Sequence, residues 1–384
     1  LKKHKILTVI LMTLAGLAVP RASACTSAII GAELNPSGRP ILWKHRDTST
    51  IDNKVEYVPA RGNEMGYVAL FNAGDKELKE AWMGMNDAGF AVMNTASYNI
   101  KDDKVPDKQM DKEGIVMTKA LKTCRTVDDF ARLLETYPRP IGVEANFGVI
   151  DATGNGAYFE TNNHSYERYD LKDTPGHMLV RANYSHSGRS DEGYGYVREA
   201  NAECLLIPYA DEHSVTPEVL TEVLSRSFYH DLNKRDYSEG PDRWVVDQDF
   251  IPRFKSTATV AIEGCRPVES ATQVTPEFVA DEYIMWTGLG YPPVSEIRAV
   301  RNRADGVDED LRGTLPNGHS PLSEEAKRKR SEVFGLHRDN GDRYIDMPLL
   351  YNEQGTGYAQ RVRRQNHATY VREKAVRDGR KNDD

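Results

Sequence analysis

The chain opens with Lys2, Lys3 and Lys5, an apolar stretch from Ile6 to Val19, and then Ala22-Ser23-Ala24 ahead of Cys25. The apolar stretch is about 14 residues, short of the roughly 20 that cross a bilayer as a helix, and small residues before Cys25 suit a signal peptidase. Residues 1–24 are therefore predicted to be a cleaved secretory signal peptide, with the mature chain beginning at Cys25. From Thr26 to about Asn99 the pattern becomes short alternating runs divided by turns. TSAIIGAEL and RPILWKHRD flank Asn35-Pro36-Ser37-Gly38; YVALFN, AWMGMN and FAVMNTAS follow, the last two joined by a hairpin turn at Asn86-Asp87-Ala88-Gly89.

Two helices are predicted next, from Gly114 to Cys124 and from Asp128 to Tyr137, the second with Thr126 as N-cap and Pro138 as stop. Strand patterns resume in NFGVIDATG, GAYFETNN, SYERYDL and HMLVRANYS. Helical patterns occupy 192–206 and 217–229, and TATVAIEG and EYIMWTGL supply two later strands. This order predicts an α+β fold, with sheets packed together and helices outside, and not a doubly wound parallel sheet. After about residue 300 the chain turns charged. RNRADGVDEDLRG reads as loop, and Lys327-Arg328-Lys329-Arg330, interspersed with acids, as a solvated helical face. The expected organisation is a main domain over 25–300 and a charged, mostly helical C-terminal extension over 301–384.

Composition changes this picture little. About 360 residues beyond the leader suffice for a large core. A net charge of −8 with 28% charged residues does not suggest a nucleic-acid-binding surface. Of the four cysteines, Cys124 and Cys204 fall in helix-like stretches and read as buried apolar residues; with Cys265 they form no C-x-x-C pattern. Asp339, Asn340 and Asp342 beside Gly341 lack calcium-loop spacing, and Gly154-Asn155-Gly156 is far short of a dinucleotide fingerprint, so no metal or cofactor is expected.

Cys25 is the residue whose position needs explaining. At a mature N-terminus a thiol and a free α-amine lie a few bonds apart, titrating near pH 8.5 and 8, so the amine can serve as base while the thiolate attacks an amide carbonyl. Such a nucleophile needs oxyanion donors, a group that orients the amine and a cation that favours thiolate. Lys44 and Asp47 end the strand expected to pair with the one starting at Cys25. Asn94 follows an apolar strand, and Asn183 lies in LVRANYSHS. Taken alone, Asp47 also fits an ordinary surface ion pair, Asn86 a turn, and Arg243 a structural pair. His45 and His186 are available, but an N-terminal Cys needs no His.

Cys-Thr at the mature start, W-K-H-R-D, G-M-N-D-A-G-F-A-V-M-N and L-V-R-A-N-Y, in this order over about residues 25–265, resemble the choloylglycine hydrolase and isopenicillin-N acyltransferase-like superfamily of N-terminal-nucleophile (Ntn) hydrolases. The resemblance implies an αββα sandwich of two antiparallel sheets between helical layers. It implies Cys25 as nucleophile and base, Asp47 as orienter of its amine, Asn94 and Asn183 as oxyanion donors, and Arg243 in G-P-D-R-W as an arginine near the nucleophile. Bile-salt hydrolases have Arg where Lys44 stands, and Lys lacks the planar fork of Arg. Strand alternation puts Lys44 and Arg46 on one face and His45 and Asp47 on the other, so Arg46 is a second candidate cation.

The expectation is a periplasmic or secreted bacterial enzyme acting on a small N-acyl amide through a thioester at Cys25, by hydrolysis or acyl transfer, with homo-oligomer formation left open. Tyr98, Tyr184, Tyr194 and Tyr196 are expected to line the acyl pocket. Two other readings stay open at this level. Cys25 could carry the lipid of a non-catalytic lipoprotein, although Ala22 stands where such signals prefer Leu; or the enzyme could be a cysteine peptidase.

Overall fold

The computed structural model describes residues 24–379 apart from Pro241 and Gly341, so the predicted leader, save Ala24, lies outside the described residues. In chain order the elements through the first half are β1 (Thr26–Ile30), β2 (Ile41–Asp47), β3 (Asn53–Val58), β4 (Tyr67–Asn72), β5 (Met83–Asn86), β6 (Ala91–Ala96), α1 (Glu113–Thr123), α2 (Val127–Thr136), β7 (Ala145–Ile150), β8 (Gly156–Thr161), β9 (Tyr166–Asp170), β10 (Met178–Arg181) and α3 (Tyr196–Asp211). Then follow β11 (Tyr229–His230), β12 (Arg235–Asp236), β13 (Trp244–Val246), β14 (Ser256–Glu263), α4 (Pro276–Glu282), β15 (Ile284–Leu289), β16 (Arg298–Val300), α5 (Pro321–Val333), β17 (Leu336–His337), β18 (Arg343–Asp346), α6 (Met347–Leu350) and α7 (Tyr358–Gly379).

Strand alternation sets the layers. Ile29 and Leu42 point one way and join Val260, Ile262 and Met285 against Val68, Leu70, Met83 and Met93 in a core between two sheets. These are a six-stranded sheet in the order β10-β1-β2-β14-β15-β16 and a seven-stranded meander from β3 to β9, both antiparallel throughout. The alternate residues face outward. Phe71, Val92, Phe147 and Phe159 of the meander pack on Val116 and Leu121 of α1 and Phe130 and Leu134 of α2. Ala28, Trp43 and Trp286 of the other sheet pack on Ala202 and Leu206 of α3 and Tyr370 of α7. Each such large apolar side chain contributes about 2 kcal/mol by leaving water. The result is the expected α+β fold, an αββα sandwich with helices on both outer faces.

Local signals placed α2 well. Thr126 Oγ1 accepts from the Asp129 amide at 3.1 Å and Asp129 accepts from the Thr126 amide at 3.0 Å, closing a capping box. The helix expected over 217–229 is not regular. A single π turn, Val219–Val223, passes into a short 3-10 turn, Leu224–Arg226. Thr221 and Ser225 hydroxyls donate back to the Pro217 and Leu220 carbonyls at 2.9 and 3.0 Å, which competes with the regular ladder. The strand Asn53–Val58 has no counterpart in the sequence reading; it is the edge of the meander, where alternation of burial is weak.

Beyond residue 300 the chain is more than a solvated face. Lys327 joins Asp52 and Glu324, and Arg328 joins Glu325 and Glu332, but Arg330 is buried and donates to the Phe254 carbonyl. In α7, Tyr370 stacks on Trp286 with ring centroids 4.4 Å apart, and buried Arg377 pairs with Glu263 at 2.9 Å. Cys124, Cys204 and Cys265 are free thiols.

Candidate active site

Cys25 sits at the threshold of β1, whose pairing with β2 sets Thr26 opposite His45 and Ser27 opposite Lys44. Alternation therefore turns the Cys25 thiol inward with Ser27 and Ile29. On β2, Lys44 and Arg46 share that face with Leu42, while His45 and Asp47 share the outer one with Trp43. Cys25 is 3% exposed, and its Sγ lies 3.8 Å from the Asp47 carbonyl oxygen. Ala24 precedes Cys25 here, so the Cys25 amide nitrogen marks where an α-amine would lie in a chain that began at Cys25.

Asp47 lies on the main-chain side of residue 25. Its Oδ1 accepts from Ser256 Oγ at 2.6 Å, and its Oδ2 pairs with Arg253. The same Arg253 nitrogen donates to the Ala24 carbonyl at 2.8 Å, and the Ala24 amide donates to the Asp47 carbonyl at 3.2 Å. His45 Nε2 lies 2.8 Å from Ser256 Oγ. Burial pushes the His45 pKa down to about 4, with Asp47 opposing, so its ring is neutral and serves the hydroxyl that serves Asp47.

On the thiol side, Lys44 Nζ donates to Asn94 Oδ1 at 2.8 Å and to the Trp82 carbonyl at 3.1 Å. Arg46 donates to Asn53 and, at 2.9 Å, to Asn72, and stacks over Trp82 at 5.0 Å. Burial lowers Lys44 to about 8, with Cys25 countering, and lowers Arg46 to about 10, again with Cys25 countering. Both cations thus feel the thiol.

Asn183 extends beyond β10 and bridges to Tyr194 through backbone bonds of 3.1 and 3.2 Å. Its Nδ2 donates to the Ala96 carbonyl and its Oδ1 accepts from Arg198 Nη2, both at 2.8 Å. Arg198 Nη1 also donates to the carbonyl of Cys25 at 2.6 Å and to Thr26 Oγ1 at 2.9 Å. Tyr98 and Tyr194 meet edge-on at 5.3 Å beside this group, and Tyr184 and Tyr196 pack at 4.3 Å. Asn86 is a turn residue, its Oδ1 accepting from the amides of Ala88 and Phe90.

Arg243 is not brought to the site. Its side chain is 66% exposed, pairs with Asp346 at 3.2 Å and lies over Trp244. Besides Arg46, the arginines near Cys25 among the described residues include Arg253 and Arg198, which the sequence alone did not single out. A usable signal existed for Arg253, which lies three residues before the start of the strand that pairs with β2; Arg198 carries no local motif. A cavity of about 860 Å³ lined by Arg226, Tyr351, Gln360 and Arg363 shares no residue with this cluster. Of the described side chains, Asp52, His319 and Glu324 converge as metal ligands would, but the Lys327 ammonium sits 2.8 Å from both Asp52 and Glu324 and takes the cation's place.

Residues 65–238, fewer than half of the chain, match the family described as acyl-coenzyme A:6-aminopenicillanic acid acyl-transferase. That span holds Asn94, Asn183 and Arg198, and leaves Cys25, Lys44, Asp47 and Arg253 outside it. No curated protein matches the sequence. Among solved structures, a conjugated bile acid hydrolase from Clostridium perfringens aligns at 11% identity over 73% of this chain and 95% of its own, with a TM-score of 0.42. A Caenorhabditis elegans N-acylethanolamine-hydrolyzing acid amidase ortholog aligns at 12% over 66% and 97%, TM-score 0.39. Penicillin V acylase from Agrobacterium tumefaciens aligns at 13% over 72% and 86%, TM-score 0.38. Likeness at this level adds nothing to the layers described above. The family match over residues 65–238 agrees with the resemblance read from the motifs to the choloylglycine hydrolase and isopenicillin-N acyltransferase-like superfamily of Ntn hydrolases.

Proposed function

We propose that the mature protein, exported and beginning at Cys25, cleaves a linear carbon–nitrogen amide or transfers its acyl group. The observation that carries this reading is the division of labour around one residue: Asp47, with Arg253, lies on the main-chain side of Cys25, and Lys44 and Arg46 lie on its thiol side. In the reading, the thiolate attacks the amide carbonyl and the electron pair moves to oxygen, where the Nδ2 groups of Asn94 and Asn183 receive it. The Cys25 α-amine, oriented by Asp47, gives a proton to the departing amine, leaving a thioester. It then takes a proton from water or an acceptor amine that releases the acyl group. The relatives named above act on bile-acid conjugates, penicillin V and N-acylethanolamines, which favours a small N-acyl amide as substrate. The burial of Cys25 favours a thiol within a site over a lipidated anchor. Mass analysis of purified protein after exposure to a panel of N-acyl amides should show an N-terminus at Cys25 and a transient acyl increment on that residue. An N-terminus elsewhere, or turnover with the acyl group on another side chain, would sink the reading.

The pH profile offers a second check. Lys44 is charged below about pH 8 and loses its proton as pH rises through that value, weakening its bond to Asn94 and its attraction for the thiolate. Turnover should therefore fall on the alkaline side near pH 8. In Lys44→Arg, where the charge persists, that limb should move to higher pH; a limb that stays put assigns it to another group.

A further inference from the structure

We propose that Arg198 is a positioning residue for this reaction, a single guanidinium that locks the Asn183 amide in its donating orientation and at the same time holds the main chain of the nucleophile. The inference rests on the function proposed above and assigns a role to α3 within it.

The geometry is two-sided. Nη2 donates to Asn183 Oδ1 at 2.8 Å, and Nη1 donates to the Cys25 carbonyl at 2.6 Å, to Thr26 Oγ1 at 2.9 Å and to the Ala24 carbonyl at 3.3 Å. Asn183 could be reversed only by setting its oxygen against the Ala96 carbonyl and its NH2 against the guanidinium, two repulsions in place of two bonds. The Nδ2 hydrogen not given to Ala96 is therefore the part of the amide left to meet a developing negative charge. Asn94 is arranged likewise, with Lys44 on its Oδ1. Both proposed oxyanion donors thus have a buried cation behind the amide oxygen.

The arrangement is costly, which argues against a merely structural role. Arg198 is 1% exposed and, among the described residues, no carboxylate lies within ion-pair distance of it. Burial, with Arg253 next in weight, lowers its pKa to about 9, while Asp47 and Cys25 oppose. An apolar side chain would join α3 to β1 more cheaply. Room has also been kept for it. Gly195, at a φ of 90° before α3, would as any other residue bring a Cβ within 2.1 Å of Arg198 Nη2. The neighbouring Glu199 accepts from the Ala182 amide at 2.7 Å, so the first turn of α3 fixes the strand end on which Asn183 sits.

The test compares Arg198→Met, Arg198→Lys and Gly195→Ala in the mature protein, with two rates read on each. One is single-turnover acylation by an N-acyl amide; the other is alkylation of Cys25 by iodoacetamide at a pH where the thiolate is fully formed, a reaction that builds no oxyanion. Acylation in Arg198→Met should fall by about 10²- to 10³-fold, the cost of one lost oxyanion donor. Alkylation should stay within a few-fold, Arg198→Lys should recover part of the acylation, and adding Asn183→Ala to Arg198→Met should cost little more. Acylation within about three-fold of the parent, or acylation and alkylation falling together, would overturn the role. If Arg198→Met does not fold, the same two rates in Gly195→Ala decide, since its Cβ displaces the guanidinium. Failure of the underlying function would look different: the parent protein itself would carry no acyl group on Cys25.

Discussion

Cys25→Ala is expected to fold and to lose turnover by at least about 10⁴-fold, the scale on which nucleophile removal acts in enzymes that form a covalent intermediate. The substitution deletes one sulfur atom from a buried site packed by neighbouring side chains and leaves the main chain as it is, so the loss of stability should be small beside the loss of turnover. The loss should be entirely chemical: no acyl increment at residue 25, and no recovery at any pH. Measuring both turnover and the intact mass separates this from damage to the fold. Turnover within ten-fold of the parent would mean that another group attacks the amide. A chain retaining Ala24 should be nearly as inactive, because the amide nitrogen it leaves on Cys25 cannot accept a proton.

Asp47→Asn should be the costliest single change to stability among the groups around Cys25, and it should cost activity as well. The carboxylate is buried, accepts from Ser256 and pairs with Arg253, and an amide in its place would turn an NH2 toward one of these donors. Removing one member of a buried pair costs about 3–5 kcal/mol. Arg253 is partly reached by solvent, so the lower end of that range is expected, seen as a lowered midpoint in chemical denaturation. Activity should fall about 10²-fold or more, because the amine would lose the group that orients it for proton transfer. Stability lost with turnover intact would leave Asp47 a structural residue only.

The elements that were legible from the sequence share one property: their signals are local. The period-two runs from Thr26 to Ala96, the turn at Asn86 to Gly89 with Gly89 at a φ of 72°, and the Thr126 cap each depend on a few neighbouring residues, and each stands where it was read. Alternation along Trp43-Lys44-His45-Arg46-Asp47 likewise assigned the two faces of β2. The segment 217–229 was misread because hydroxyl side chains and packing against Tyr370 override its helical periodicity.

The arginines show the limit. Arg243 stands in a motif-like setting and ends at the surface with Asp346, whereas Arg198 and Arg253 stand in no motif and reach the main chain at residues 24 and 25 from 173 and more than 200 residues away. What the sequence by itself determined was the pairing of β1 with β2, the face on which each of their side chains lies, and the identity of a Cys that follows a leader-like segment. What only the tertiary structure decided was which cations surround that Cys. A long flexible side chain takes its role from the oxygens within its reach, and those come from strands and loops that meet only when the two sheets close on each other.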